Sequence, residues 1–441
     1  MLRIVVRAKK DADAVKAALS AFYEGWGVEV STLKGVRGVE EALGALKRVL
    51  SDDEYVILLV GREDAKLCEL ERYTPVNVLV HQLRYKKVRN ARLSVLAYEI
   101  SRARARLRCS VGWNGSAYVF SHKLKPIYAE IEPYLDAFLA LGEGFRARLE
   151  ELVGPIGGCA LLYRLLGGHH LVYSGPDLVG ELEVPDEGLP RGRRVSDVVL
   201  EVREDRVVKA NEEVLRVHER LAVEFLKAHG REVDEVFVPL SGGKDSTVAL
   251  ILAKEALGAK RITAIYVDTG VDFPESGETA RRIAAWLGVK LEEVYAPVKE
   301  VLAKKGLPNH DNRWCTGLKV EALKRRVREL ASGKYALVVG DRDVESRARS
   351  TRSPKRVEDG GLVLAPIKMW STGLVQLYLK AKGAPLNPLY GEGFYRLGCY
   401  ICPALRSWEV YVMTRCRRLR ERLLKNKYFK EFLESKGVNA C

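Results

Sequence analysis

Residues 236–250 read VFVPLSGGKDSTVAL, and this stretch decides how the C-terminal half of the chain folds. An apolar run stops at two glycines, a cation, an anion and a hydroxyl, and apolar residues then return at helical spacing. A strand, a glycine turn and a helix aim unpaired backbone amides and the positive end of the helix at one point. The sequence therefore predicts a phosphate-binding loop, whose candidate residues are Ser241, Gly242, Gly243, Lys244, Asp245 and Ser246.

The loop lacks the GxxxxGK[ST] spacing of the Walker loop. It resembles instead the SGGxDS loop of the PP-loop, or N-type, ATP pyrophosphatases. That resemblance implies an adenine nucleotide, bound with Mg²⁺, and chemistry at its α-phosphate. It also makes Lys244 and Asp245 the first catalytic candidates, with Asp245 and Asp268 available for Mg²⁺ or for organising the loop.

A second predicted strand, RITAIYV, is followed by DTGVDFPE. Ligands of an open parallel sheet lie beyond the carboxyl ends of its strands, so Asp268, Thr269 and Gly270 are predicted to lie beside the phosphate loop. The DTGVDFPE segment resembles the corresponding segment in the branch of the superfamily that reduces phosphoadenosine phosphosulfate (PAPS) or adenosine phosphosulfate (APS).

Two later segments carry the same resemblance, which spans residues 236–403. YALVVGDRDVESRARSTR resembles a loop of that branch, and APIKMWSTGLVQLYLKAKGAPLNPLYGEGFYRLGCYICP resembles its ending. The first of them implies four more nucleotide-binding candidates: Arg342, Glu345, Ser346 and Arg349.

Cysteines cluster late in the chain. Cys399 and Cys402 form a CxxC pair, and Cys315 lies upstream in a WCT sequence where the reductases often have two adjacent cysteines. Thiolates converging near a nucleotide pocket could hold a 4Fe-4S cluster, with Cys416 or a non-protein ligand completing it. Zinc and a redox disulfide are the alternatives.

The last residue, Cys441, lies where sulfonucleotide reductases carry a nucleophilic cysteine on a C-terminal tail. A thiolate there could attack the sulfur of an adenylyl sulfate. The glutamate-cysteine-glycine ending of those tails is missing, so an incidental terminal cysteine stays the alternative.

The composition is that of a soluble globular protein: 441 residues, 47% hydrophobic and 30% charged, without a long uncharged apolar run. The start of the chain turns charged too early for a secretory signal, and we expect a cytoplasmic protein with no membrane partner. A net charge of +15 favours an anionic partner such as nucleic acid, although a lysine- and arginine-rich surface also serves solubility.

The expected fold class is α/β. Strand-like runs alternating with helical stretches predict a small basic α/β domain over residues 1–125. Residues 126–203 are predicted to be a mixed α+β region and linker, in which 134–153 are helical and 185–194 are turn-rich. Residues 204–441 are predicted to form the PP-loop parallel-sheet domain.

Two basic segments are candidate nucleic-acid surfaces. Arginines occupy every second position in SRARARLR, which predicts one face of an extended strand; these are Arg102, Arg104, Arg106 and Arg108. In TRCRRLRERLLK, Arg415, Arg418 and Arg422 recur at helical spacing. A solvated surface is the alternative for both segments.

Three functions follow from these patterns. The first is ATP-dependent adenylation of a substrate such as tRNA, followed by iron-sulfur-dependent sulfur transfer. The second is reduction of PAPS or APS with a thiol reductant, which releases sulfite. The third is nucleotide sensing by a non-catalytic RNA-binding protein. Retention of both Lys244 and Asp245 and the large N-terminal extension favour the first.

Overall fold

The structure is a computed structural model that describes residues 2–439, and over this range the chain forms three main sheets. The N-terminal sheet (β1–β4) is parallel, the middle sheet (β7–β11) is antiparallel, and the C-terminal sheet (β12–β17) is parallel except at one edge. The predicted α/β class is confirmed. The domain boundaries near residues 125 and 203 stay predictions.

The N-terminal sheet has the strand order β2-β1-β3-β4. Its central strand β3 is buried along its whole length, as expected for a parallel sheet covered on both faces. The elements of this part are β1 (Leu2–Val6), α1 (Lys9–Phe22), β2 (Glu29–Thr32), α2 (Val39–Val49), β3 (Tyr55–Val60), β4 (Val78–Gln82) and α3 (Leu93–Cys109).

The arginine-rich segment is helical, so the predicted strand with one arginine face is wrong. Leu96, Ile100, Ala103 and Leu107 recur at spacings of three and four residues and are buried on one side of α3. Arg104 and Arg108 are four residues apart and are also buried, with 3% and 2% of their surface exposed. Arg102 and Arg106 are half-buried and pair with glutamates.

The middle sheet has the order β11-β10-β9-β8-β7. Two predictions for this region are corrected: residues 136–140 form a strand rather than a helix, and residues 191–194 form the edge strand rather than a linker. The elements are β5 (Gly112–Trp113), β6 (Tyr118–Val119), β7 (Asp136–Ala140), α4 (Glu143–Val153), β8 (Ala160–Arg164), β9 (His169–Ser174), β10 (Asp177–Glu183) and β11 (Arg191–Arg194).

Two helices, α5 (Glu204–Ala210) and α6 (Glu212–Gly230), lead into the C-terminal sheet. Its strands and first helices are β12 (Glu235–Pro239), α7 (Lys244–Leu257), β13 (Ile262–Asp268), α8 (Pro274–Leu287), β14 (Lys290–Tyr295), α9 (Val298–Lys305), α10 (Trp314–Leu330), β15 (Tyr335–Val338), α11 (Arg347–Thr351), β16 (Lys355–Glu358) and β17 (Gly361–Leu364). The chain ends with α12 (Thr372–Ala381), α13 (Ser407–Arg415), α14 (Arg417–Leu423) and α15 (Lys427–Ser435).

The strand order β14-β13-β12-β15-β17-β16 contains a switch point. The chain leaves β12 toward β13 and β14, and it then returns to the other side of β12 as β15. The connections that follow β12 and β15 therefore lead to opposite sides of the switch point, and a crevice forms at the carboxyl ends of these two strands. Crevices of this kind are where open α/β sheets bind their ligands.

The middle and C-terminal sheets share one hydrophobic core. Leu139 of β7 and Leu161 of β8 belong to the same buried cluster as Val238 of β12 and Leu374 of α12. The N-terminal sheet has cores of its own, one of which includes Met369 from the C-terminal part. Within residues 2–439, no helix combines the length and the apolar character that a membrane span requires.

Candidate nucleotide and thiol site

The phosphate loop joins β12 to α7 in the predicted manner. Thr247 N–H donates to Gly243 O at 3.1 Å and starts the helix, and Ser241 N–H donates to Ser246 Oγ at 3.2 Å. The backbone N–H groups of Gly242, Gly243 and Asp245 have no hydrogen-bond partner anywhere in residues 2–439. Unpaired amides at the N-terminus of a helix form an anion site.

Asp245 is held by two cations. Lys244 Nζ donates to its Oδ2 at 2.8 Å, and Arg342 Nε lies 2.7 Å from its Oδ1. Burial raises the pKa of Asp245, but Arg342 and Lys244 outweigh burial and hold the pKa below its usual value. The carboxylate thus fixes the position of the Lys244 ammonium and links it to Arg342 in the loop after β15.

The loop after β15 faces the phosphate loop across the switch point. A Cβ on Gly340 would lie 2.7 Å from the backbone of Asp245, so the two loops are in direct contact. Arg342 is only 3% exposed, and its second partner is Asp136 of the middle sheet, at 3.9 Å. Its guanidinium therefore binds protein carboxylates in this structure, whereas the prediction assigned it to nucleotide oxygens.

The other residues predicted in this loop organise one another. Glu345 Oε2 accepts from Arg342 N–H at 3.0 Å, and Ser346 Oγ accepts from Arg349 N–H at 3.2 Å. The Arg349 guanidinium also pairs with Glu345. Glu345 and Ser346 are exposed, so their oxygens are accessible to a ligand.

The turn after β13 lies next to the phosphate loop because β12 and β13 are paired in parallel. Asp268 is exposed, and its Oδ1 accepts from Gly270 N–H at 2.8 Å. Thr269 is buried and donates its hydroxyl to Asp272 Oδ2 at 2.7 Å. These contacts shape the turn and leave the Asp268 carboxylate open to solvent.

Cys399 lies against this turn. Its Sγ is 3.1 Å from Asp272 Oδ1, 3.2 Å from Lys319 Nζ and 3.6 Å from Thr269 Oγ1. Burial and the Asp272 carboxylate raise the pKa of Cys399 to about 12, against the opposing effect of Lys319. Burial alone would lower the pKa of Lys319, but Cys399 and Asp272 raise it above its ordinary value.

Two further thiols share this neighbourhood. Cys315 lies in the first turn of α10, four residues before Lys319 on the same helix face. Burial and the nearby Cys402 raise the pKa of Cys315. The structure therefore brings Cys315, Cys399 and Cys402 around Lys319.

The four predicted metal ligands do not form one site. The thiol of Cys416 is buried at the junction of α13 and α14, where it donates to Glu392 Oε2 at 3.3 Å. Among residues 2–439, no three or more Cys, His, Asp or Glu side chains have the arrangement of a metal site. The structure does not fit a preformed four-cysteine site, and the 4Fe-4S cluster and zinc stay predictions from the resemblance.

Four residues of the site were missed in the sequence. Lys319 could have been found from its i,i+4 spacing to Cys315, and Asp272 from its place inside DTGVDFPE. Tyr390, whose hydroxyl accepts from Lys244 N–H at 2.8 Å, lies in the NPLY segment. Asp136 gave no signal, because it reaches the site only through the packing of the middle sheet.

The predicted arginine stripe near the C-terminus is divided between α13 and α14, which meet at Cys416. Arg422 makes a bidentate pair with Glu275 of α8, at 2.8 and 2.9 Å. Arg418 lies 3.7 Å from Glu392, and Arg415 lies over the ring of Tyr411. These contacts anchor the two helices, and a nucleic-acid role for the stripe stays a prediction. Cys441 lies outside the described residues.

Comparison with known proteins places this site in a family. Residues 235–405 match the phosphoadenosine phosphosulfate reductase domain. The chain is 30% identical over 196 residues to the adenosine 5'-phosphosulfate reductase of Rhodococcus opacus, which covers 41% of this chain and 76% of that protein. The chain belongs to the phosphoadenosine phosphosulfate reductase family. This confirms the family that the glycine loop and the DTGVDFPE turn predicted.

This PAPS reductase family member also has archaeal relatives. An uncharacterised protein of Methanocaldococcus jannaschii is 37% identical over 223 residues, which covers 48% of this chain and 45% of that protein. The chain spans about half the length of the first curated relatives it matches. The crystal structure of a PAPS reductase from Candida auris, in a phosphate complex, aligns with a TM-score of 0.34 and 21% identity, over 44% of this chain and 97% of that one.

Proposed function

We propose that this protein is an adenine-nucleotide-dependent enzyme that adenylates an acceptor and then replaces the activated oxygen by sulfur. One observation carries the proposal: the unpaired amides of the phosphate loop follow β12, and Cys399 packs against the turn that follows the adjacent strand β13. A nucleotide held by its phosphates at the loop would thus lie beside the three thiols.

The first step activates the acceptor. An acceptor oxygen attacks the α-phosphorus of ATP, the new P–O bond forms, and the bond to the β-phosphate breaks with its electron pair leaving on pyrophosphate. Lys244 and the amides of Gly242 and Gly243 would stabilise the developing charge. Mg²⁺ would accompany the phosphates, and the exposed Asp268 carboxylate at the end of β13 would be available to bind it.

The second step introduces sulfur. A hydrosulfide donor attacks the activated carbon, the C–S bond forms, and the C–O bond breaks with its electron pair leaving on AMP. The group formed by Cys315, Cys399, Cys402 and Lys319 is suited to bind an anionic sulfur species, because Lys319 supplies a positive charge next to the thiols. We further propose that the acceptor is an RNA, that a separate donor supplies the sulfur, and that the protein acts in the cytoplasm.

Reduction of an adenylyl sulfate is the second candidate. The similarity to the Rhodococcus opacus protein, whose name states that activity, favours it. A thiolate would attack the sulfate sulfur, the new S–S bond would form, and the S–O bond would break with AMP leaving. An external thiol reductant would then release sulfite. This route consumes an adenylyl sulfate and releases no pyrophosphate.

The two candidates differ in substrate, so paired assays separate them. ATP binding is measured by calorimetry, and AMP and pyrophosphate release is measured with cellular RNA and sulfide present. Sulfite release is measured separately from APS and from PAPS with dithiothreitol. AMP and pyrophosphate formed together support the proposal, whereas sulfite release supports the reductase. ATP binding without either product would indicate a nucleotide sensor.

A matched pair of variants tests the role of the loop lysine. Lys244→Met should reduce ATP turnover by about 100-fold, since it removes the positive charge of the phosphate loop, which the proposal uses to stabilise the transition state. Lys254→Met, at the other end of α7, should stay within about twofold of the wild type. Undiminished turnover in the Lys244 variant would contradict its assigned role.

A further inference from the structure

Two cavities adjoin beside the loop after β15. Their volumes are about 550 and 470 Å³. They share the five lining residues Pro133, Tyr134, Asp343, Arg347 and Ser350. We call them together the inter-sheet cleft, which runs from Glu345 and Ser346 to helix α1 of the N-terminal part.

Exposed aromatic rings line the outer part of this cleft. Phe22, Tyr98 and Tyr134 are 51%, 47% and 44% exposed, although each is large and largely apolar. The Tyr98 hydroxyl is hydrogen-bonded to Glu132, which restricts the orientation of its ring. Accessible, oriented aromatic rings are the platforms on which unpaired bases stack.

The floor of the cleft carries excess positive charge. Arg104 and Arg108 reach it from α3 and meet Asp343, which is also approached by Lys368 Nζ at 3.6 Å. Three cations thus surround a single carboxylate. Arg347 on the shared wall is exposed, and it adds a cation at the surface.

Besides Asp343, three acidic residues line the cleft, Asp186, Glu345 and Glu409, against six arginines, and the first two of these acids are paired with cations. Asp186 Oδ1 accepts from Arg406 Nε at 2.8 Å, and Glu345 pairs with Arg349. The cleft as a whole therefore favours an anion. Aromatic rings along a positively charged groove are the combination that binds single-stranded nucleic acid with little sequence preference.

We propose that the inter-sheet cleft binds single-stranded nucleic acid, with bases stacked on Phe22, Tyr98 and Tyr134 and the backbone near Arg347. This rests on the proposed function, because it names the chemical class of the acceptor. The cleft reaches Glu345 and Ser346, which belong to the loop after β15, and Gly340 of this loop contacts the phosphate loop. A nucleotide bound at this end of the cleft would therefore lie on the same side as the phosphate loop. A duplex would keep its bases from the rings.

Fluorescence anisotropy with a labelled twelve-nucleotide oligouridylate tests the proposal on the full chain. We expect saturable binding that is weakened roughly five- to hundredfold by Tyr98→Ala or Phe22→Ala, the range typical for loss of one stacked base. Trp286→Ala is the matched control, since Trp286 is 43% exposed on α8 and lies outside the cleft. Arg347→Ala should lower the salt dependence of binding by about one phosphate contact.

Three outcomes would overturn the inference: no saturable binding, equal weakening in the Trp286 control, or preference for a duplex of the same length. Each variant is checked for ATP binding by calorimetry. ATP binding with no oligonucleotide binding would refute the cleft and leave the proposed function standing. Oligonucleotide binding that depends on Tyr98, with no ATP or adenylyl sulfate turnover, would refute the proposed function and leave the cleft.

Discussion

Gly242 is constrained in two independent ways at the phosphate loop. Its φ of +67° lies in the left-handed region, which a residue with a side chain rarely adopts. A Cβ at this position would also lie 2.1 Å from Ser276 O in the first turn of α8. The loop is therefore held against α8 by a contact that only glycine permits.

Two glycine variants separate these constraints. Gly258 has a φ of +80°, similar to that of Gly242, and no atom lies within 4 Å of a Cβ added there. Gly258→Ala should therefore cost about 1 kcal/mol of unfolding free energy. Gly242→Ala should cost at least about 2 kcal/mol more and abolish ATP binding, because the loop must move away from α8. Urea unfolding and calorimetry measure both effects, and equal costs in the two variants would contradict the close contact.

At the scale of elements, helix α3 reaches across to the loop between β15 and α11. Arg104 pairs with Asp343, and its guanidinium lies 4.0 Å from the centre of the Trp26 ring. Lys368, which follows β17, is fully buried in the same cluster. Burial and the neighbouring Arg104 together lower the pKa of Lys368 to about 8, although Asp343 acts in the opposite direction.

This pKa predicts a pH dependence of stability. An unfolded lysine keeps its proton up to about pH 10.5, whereas the folded protein releases it near pH 8. Unfolding therefore takes up a proton between these values, and the stability of the wild type should rise with pH in this window. Relative to Lys368→Met, we expect a gain of about 2 kcal/mol from pH 8 to pH 10 in urea unfolding. A difference in unfolding free energy between the wild type and Lys368→Met that stays constant from pH 8 to pH 10 would contradict this prediction.

At the scale of the whole molecule, the site depends on contacts between sheets. Asp136 of β7 accepts from Thr372 N–H at 2.9 Å and from the Thr372 hydroxyl at 2.6 Å, and it also faces Arg342. The middle sheet thus positions the arginine that holds Asp245. Because these two sheets share one hydrophobic core, the middle sheet is part of the scaffold of the site.

The shared core predicts cooperative unfolding of the middle and C-terminal sheets. Amide hydrogen exchange followed by mass spectrometry in increasing urea should show β7–β10 and β12–β15 losing protection together, whereas β1–β4, with separate cores, are free to open at a different concentration. Loss of protection in β7–β10 well before β12–β15 would contradict a single cooperative unit.

The sequence predicted the elements whose pattern is local. The strands of the N-terminal sheet, the glycine turn after β12 and the family all follow from runs of apolar residues and short motifs read within a few residues. The segment with alternating arginines misled the prediction for α3, because charge alternation has a period of two while the buried Leu96, Ile100 and Leu107 recur at helical spacing. The apolar period decides the conformation, since burial of those side chains outweighs the placement of charges.

Residues 236–250 by themselves determined the phosphate loop, because strand, turn and helix are consecutive and the glycines act on their own backbone. Only the tertiary structure decided that Arg342 and Asp136 support Asp245, that Lys319 and Asp272 surround Cys399, and that Cys416 pairs with Glu392. These partners lie 24 to 206 residues apart in the sequence. Their contacts depend on strand order and on the packing of one sheet against another, which no local spacing in the sequence encodes.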